Sequence, residues 1–147
     1  MPIKTFRAQL ANEATDTIRL STTDGMIGYK IVKFQIMTTN PGTSAYEYVV
    51  KIFSVPQDGT PTGEIDFDVP TMLAVGYVAN NSNNTTNDIP VVVFDNMVFN
   101  QDIYITNKDM DTTSTQAVNY YLELEQLRLN ANSQAVATLK DIRSNTL

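Results

Sequence analysis

Residues 118–129 read Val-Asn-Tyr-Tyr-Leu-Glu-Leu-Glu-Gln-Leu-Arg-Leu, and their alternation decides the fold class. Val118, Tyr120, Leu122 and Leu124 point one way, and Asn119, Tyr121, Glu123 and Glu125 point the other. A period of two is what a half-buried strand imposes. After Gln126 the phase flips, because Leu127 and Leu129 continue on the other parity, which predicts one inserted residue at a β-bulge in this strand.

Downstream, Asn132-Ser133 offers an N-cap for a short helix over about residues 133–145. Ala135, Val136, Leu139 and Ile142 would form its apolar stripe, with Lys140 and Arg143 near the C-terminal end, where the helix dipole favours cations. Upstream, Asn107 to Thr115 reads as a polar loop, Ile103 to Ile105 as a short strand, and Ile89 to Phe94 as an apolar strand covered on both faces or lining a barrel interior. Residues Asn80 to Asn87, Asn-Asn-Ser-Asn-Asn-Thr-Thr-Asn, form a polar island with nothing to bury, hence a loop.

Met72 to Ala79 reads as a strand. Before it, Glu64, Asp66 and Asp68 alternate with Ile65, Phe67 and Val69, a short edge strand that ends at Pro70. Tyr29 to Met37 alternates again, and Ala45 to Val55 resumes after the turn-rich Asn40-Pro-Gly-Thr-Ser, so the two runs read as a long hairpin. Ile18 and Leu20 set the same pattern near the start. The count is eight or nine strands, one helix and no βαβ alternation. The expected fold is all-β: an antiparallel β-sandwich or jelly roll of about eight strands with a short C-terminal helix, in one domain over residues 1–147.

Composition bounds the chemistry. The 147 residues include no histidine, cysteine or tryptophan, so a disulfide, a thiolate nucleophile, a Cys-type zinc site and the usual base near neutral pH are all excluded. The start, Met1-Pro-Ile-Lys-Thr-Phe-Arg, lacks the apolar run of a secretion signal, and no stretch approaches the ~20 apolar residues that span a bilayer. The net charge is −6, and the few Lys and Arg are unclustered along the sequence. Direct nucleic-acid binding and membrane association are therefore not expected, and no cofactor is implied.

Three acidic patterns could carry chemistry. Glu64, Asp66 and Asp68 share a strand face, but successive same-face side chains lie about 7 Å apart, too far for one ion without a facing loop, and a solvated face is the preferred reading. Asn107, Asp109 and Asp111 have the spacing of an EF-hand start, yet Thr112 stands where glycine is needed and Val118 where a bidentate glutamate is needed. Glu123 and Glu125 have a spacing compatible with paired-carboxylate catalysis, as on any half-exposed strand. Tyr46, Tyr48, Tyr120 and Tyr121 read as cross-strand packing partners. No catalytic, cofactor or metal residue is selected. The candidate interaction loops are those holding Asn80, Asn81, Asn83, Asn84 and Thr85, and Asp109 and Asp111.

The segments Asn100-Gln-Asp-Ile-Tyr-Ile-Thr, Asn119-Tyr-Tyr-Leu-Glu-Leu-Glu-Gln-Leu-Arg-Leu and Ala135-Val-Ala-Thr-Leu-Lys-Asp-Ile-Arg-Ser-Asn resemble the C-terminal part of small capsid-associated, decoration or cement-type structural proteins of tailed marine bacteriophages. The likeness covers residues 100–145, the last third of the chain, and rests on no catalytic signature. It implies a non-enzymatic virion protein that folds as a β-sandwich, binds the lattice of the major capsid protein and forms a homo-oligomer. The alternative is a phage tail, collar or fibre module working through its Asn/Thr-rich loops in host recognition or tail assembly.

Overall fold

Alternating apolar residues build eight strands: β1 (Ile3–Leu10), β2 (Thr15–Ile18), β3 (Ile27–Thr38), β4 (Tyr46–Phe53), β5 (Met72–Asn80), β6 (Val91–Val93), β7 (Ile103–Asp109) and β8 (Val118–Arg128). The computed structural model describes residues 2–20, 25–42, 44–81, 85–86, 90–94, 97–113 and 115–130; the helix expected at 133–145 lies outside the described residues. All strand pairings are antiparallel. The strands form a three-stranded sheet in the order β1-β8-β3 and a five-stranded sheet in the order β2-β7-β4-β5-β6, consistent with a β-sandwich. The all-β expectation holds.

The strand that decided the fold class is the centre of the small sheet. Leu122 pairs with Phe6 on one side and Phe34 on the other, and Tyr120 pairs with Ala8 and Ile36. Val118, Tyr120, Leu122 and Leu124 are buried in one cluster with Tyr48, Val50, Ile52, Ile103 and Ile105 of the large sheet. Full burial of each such side chain is worth about 1.5–3 kcal/mol. Polar links cross the layers: the Tyr120 hydroxyl donates to Asp16 Oδ2 at 2.9 Å, and the Tyr48 hydroxyl donates to the Ala117 carbonyl at 2.8 Å.

Several local expectations are corrected. The runs 29–37 and 45–55 do not form a hairpin, since β3 pairs with β8 and both edges of β4 are taken by β5 and β7. The intervening turn crosses between sheets. Thr39 Oγ1 and Asn40 Nδ2 tie it to the Ala117 carbonyl and to Gln116 Oε1, at 3.1 and 2.9 Å, just before β8. Gly42 supplies the positive φ of 77° that this crossing uses.

The bulge lies in β3, not β8. The β3–β8 register shifts between Ile31 and Lys33, leaving Val32 as the extra, exposed residue, whereas β8 runs unbroken along β1. Tyr29 therefore faces inward before the bulge, and Phe34 and Ile36 face inward after it. Leu129 is buried because its N–H bonds the Met26 carbonyl at 2.7 Å and its side chain closes over Gly28, where an added Cβ would sit 2.9 Å away.

Residues 64–69 are not an edge strand. Asp66 Oδ1 accepts from the Asp68 N–H at 2.9 Å and the Asp66 carbonyl accepts from Val69 at 3.3 Å, a local turn that ends the extended alternation. The apolar run at 89–94 shrinks to the three-residue edge strand β6, with Val92 exposed rather than covered. The polar stretch from Asn107 is strand as far as Asp109, and both of those residues are buried. β1 was not expected as a strand at all; its polar and apolar residues alternate, but seven of its eight positions are exposed or half-buried.

Candidate binding face

The inward row of the small sheet is spent on the core, so its outward row is what the sheet shows to solvent. Antiparallel register sets that row in ranks. Arg7, Tyr121 and Gln35 stand side by side across β1, β8 and β3, and Gln9, Asn119 and Met37 form the next rank. These six residues, together with Ala8, Phe34, Ile36 and Tyr120 of the inward row and Val91 of β6, line a groove of about 840 Å³. Ala8, Phe34, Ile36, Tyr120 and Val91 supply most of its apolar lining, and Met37 among the outer residues is 63% exposed. A volume of this size falls in the range of ligand and peptide sites.

The polar heads of the groove are lightly used. Gln9 Nε2 approaches Asn119 Oδ1 at 3.4 Å, and Asn119 Nδ2 donates to the Thr38 carbonyl at 3.3 Å. Arg7 and Gln35 make no side-chain hydrogen bond or ion pair among the described residues, which leaves their donors free on either side of the Tyr121 ring. The Tyr121 hydroxyl donates to Glu123 Oε2 at 2.7 Å, and this carboxylate, more than burial, pushes the phenol above its ordinary pKa. Such a face can hold a partner by apolar contact and amide or guanidinium hydrogen bonds.

Charge is segregated in the same way. The three strands of the small sheet carry five cations (Lys4, Arg7, Lys30, Lys33, Arg128) against two carboxylates (Glu123, Glu125), a net +3. The whole chain is −6, so the remainder is −9. The cations are scattered along the sequence, and the fold gathers half of the ten onto one sheet, a correction to their unclustered look. Glu125 is engaged by Lys30 at 3.3 Å and Glu123 by Tyr121, so neither carboxylate of the paired-glutamate pattern stands free.

The sequence candidates are dispersed by the fold. Asp109 is 1% exposed and pins the sandwich end: its Oδ1 accepts from Glu47 N–H at 2.9 Å and Asp111 N–H at 3.0 Å, and its Oδ2 accepts from Gln116 N–H at 2.8 Å. Its buried carboxylate is engaged by three backbone N–H groups and braces this end of the sandwich. Asp111 accepts from the Thr113 N–H at 3.0 Å in the turn that follows. Asn80 and Thr85 are exposed and bridged to each other, and Asn81 Nδ2 reaches Glu47 Oε1 at 3.4 Å. Asn83 and Asn84 lie outside the described residues. Among the described residues no group of three or more acidic side chains is placed to hold a metal ion, and no helix is long and apolar enough to cross a membrane.

Nothing in the sequence marks Arg7, Gln9, Gln35, Met37 or Asn119 as a site residue. Alternation assigns each to a strand face, but only the order β1-β8-β3 brings them onto one surface. No protein-family model matches the chain, and no curated protein matches it.

Proposed function

We propose that the chain is a non-enzymatic structural protein of a phage virion, an auxiliary head protein that docks on the lattice of the major capsid protein through the outer face of its three-stranded sheet. The observation that carries this reading is the exposed outer row of that sheet, Arg7, Gln9, Gln35 and Met37 beside Asn119 and Tyr121, which borders a groove of about 840 Å³. The resemblance of residues 100–145 to decoration-type proteins supports it from the sequence side. A face of this kind suits adhesion to a repetitive surface, where many modest contacts act together.

The test is co-sedimentation of the full chain with shells of the same phage's capsid protein, both filled and emptied of genome. Equal binding to both is expected, and Met37→Asp is expected to lower it by at least about tenfold, as for a central apolar contact. Binding lost on emptying, or unchanged by Met37→Asp, would remove the reading.

A second reading, a tail or collar module, is favoured by one observation: Asn80 and Thr85 stand exposed and bridged at the end of β5. Deleting residues 81–86 would then abolish attachment to host cells or tail parts while the domain stays folded. Counting copies in purified virions separates the two readings. A number on the scale of the major capsid protein favours the head, and a far smaller one favours the tail.

A further inference from the structure

Among the described residues the outer edge of β1 has no partner strand. β1 is the last strand on its side of the small sheet, and of its eight residues only Leu10 is buried, with Phe6 half-buried, so both of its faces are exposed as well as its edge. The direction of its backbone groups follows from one bond. Gln126 N–H donates to the Pro2 carbonyl, and antiparallel pairs alternate between those that exchange hydrogen bonds and those that do not. Even-numbered residues of β1 therefore turn their N–H and C=O toward β8. Ile3, Thr5, Arg7 and Gln9 turn theirs outward.

Edges are usually blunted by a bulge, a proline, extreme shortness, a covering element or charged side chains, and of these β1 carries among the described residues only the charges, Lys4 and Arg7. β1 runs eight residues in unshifted register with β8, and its proline stands before the strand, at position 2. Its charge points to what would cover it. Lys4 and Arg7 lie on opposite faces, no carboxylate sits on the strand, and the small sheet as a whole is net +3 on a chain of −6. Lys4 Nζ has only the Tyr29 hydroxyl at 3.4 Å and the ring of the same residue, and Arg7 has no partner among the described residues.

We infer that the free edge of β1 is a docking strand for an extended acidic peptide segment of a partner protein, which adds to the small sheet as a fourth strand. The main chain of the segment pairs with Ile3, Thr5, Arg7 and Gln9. Its side chains place carboxylates beside Lys4 and Arg7 and apolar groups beside Phe6 and Ala8. A cationic edge on an otherwise acidic molecule both attracts such a segment and orients it, since the two cations fix which positions must be acidic. A second copy of this chain would bring the same cationic strand and none of that complementarity. The inference stands on the edge itself and does not rest on the capsid reading.

The experiment is amide hydrogen exchange on the full chain with the synthetic peptide Thr-Val-Glu-Val-Thr-Glu-Thr, and with the same peptide carrying Lys for Glu as control. The acidic peptide is expected to slow exchange at least about tenfold at Ile3, Thr5, Arg7 and Gln9, leaving Lys4, Phe6, Ala8 and Leu10, already bonded to β8, unchanged. Arg7→Glu, a substitution at an exposed position, is expected to abolish that slowing without lowering the melting temperature. Equal slowing by the Lys peptide, no slowing at saturation, or slowing confined to the even-numbered amides would each overturn the inference. So would slowing of the same four amides with rising protein concentration alone, which would assign the edge to a second copy. Slowing by a single-stranded oligonucleotide in place of the peptide would assign it to nucleic acid and overturn the inference equally.

Discussion

The two sheets share one interior and differ on their outer faces. Behind the five-stranded sheet, Val49, Phe53, Met72 and Val75 form a second buried cluster, joined by Val69, Tyr77 and Phe94. The segment between β4 and β5 supplies part of that cover: Phe67 meets Phe94 edge to face at 5.0 Å, and Lys51 is drawn in to donate to the Glu64 carbonyl at 2.8 Å. Behind the three-stranded sheet nothing among the described residues covers Arg7, Gln35, Met37 or Tyr121. A sheet covered on both faces buries more apolar area, whereas an antiparallel sheet bare on one face turns that face to solvent.

The sharpest way to break this comparison is to attack the shared interior. Leu122 is fully buried at the centre of β8, and Leu122→Asp puts an unpaired charge there, at a cost of several kcal/mol, on the order of the whole stability of a domain this size. Loss of the cooperative unfolding transition is expected in a urea titration. A variant that still unfolds cooperatively near the wild-type midpoint would mean that the inward row has been assigned to the wrong parity.

The next contrast is between the outer faces themselves. Phe53→Ala, on the covered face, is expected to cost about 3–5 kcal/mol, whereas Met37→Asp, on the bare face, should stay within about 0.5 kcal/mol. Equal midpoints for the two variants would show that the cover behind the large sheet contributes little. Asp109→Ala falls between them. It removes the acceptor of three backbone N–H groups at the sandwich end, and a loss of about 2 kcal/mol is expected, read in the same titration.

How far the sequence foretold this differs by region. The face of each residue in 118–125 was legible because a strand centred in a sheet and bare on one side alternates cleanly, as Leu122 against Tyr121 shows. The residues of β4 were less legible, since Val49, Lys51 and Phe53 are buried on the side that alternation assigns to solvent. Strand neighbours were not legible. Period two says which way a side chain points and not which strand lies beside it, so the turn at residues 40–44 passed for a hairpin. The phase flip was real but was placed in the wrong partner: the extra residue is Val32, and a shift of one residue leaves the same trace in either strand of a pair. Asn107 and Asp109 looked like loop because they are polar, and their burial rests on bonds to residues about a hundred positions away, Asn107 Nδ2 donating to the Leu10 carbonyl at 3.1 Å and Asp109 N–H to Asn12 Oδ1 at 2.7 Å. The groove depended on all of these at once, which is why no single stretch announced it.

The smallest predicted effect separates the faces by pH. Burial on the covered face lowers the Lys51 pKa below its ordinary 10.5. Between that lowered value and 10.5 the unfolded chain holds a proton that the folded chain has released, so this group makes stability rise with pH. Tyr48 and Tyr120 act in the opposite sense. Burial first, helped at Tyr120 by the hydrogen bond to Asp16, raises both phenols above the ordinary 10.0, so the folded chain keeps protons that the unfolded chain loses. Their contribution is complete below pH 10 and is lost as the pH climbs toward the raised values. Urea midpoints measured from pH 8 to about 12 should therefore rise slightly and then fall. Lys51→Met should flatten the rise and leave the fall, while Tyr120→Phe should weaken the fall and leave the rise. A single variant that altered both limbs would mean that the cover over Lys51 and the Tyr120–Asp16 link between the sheets open together, and the two regions would then be one cooperative unit instead of a core with a separate lid.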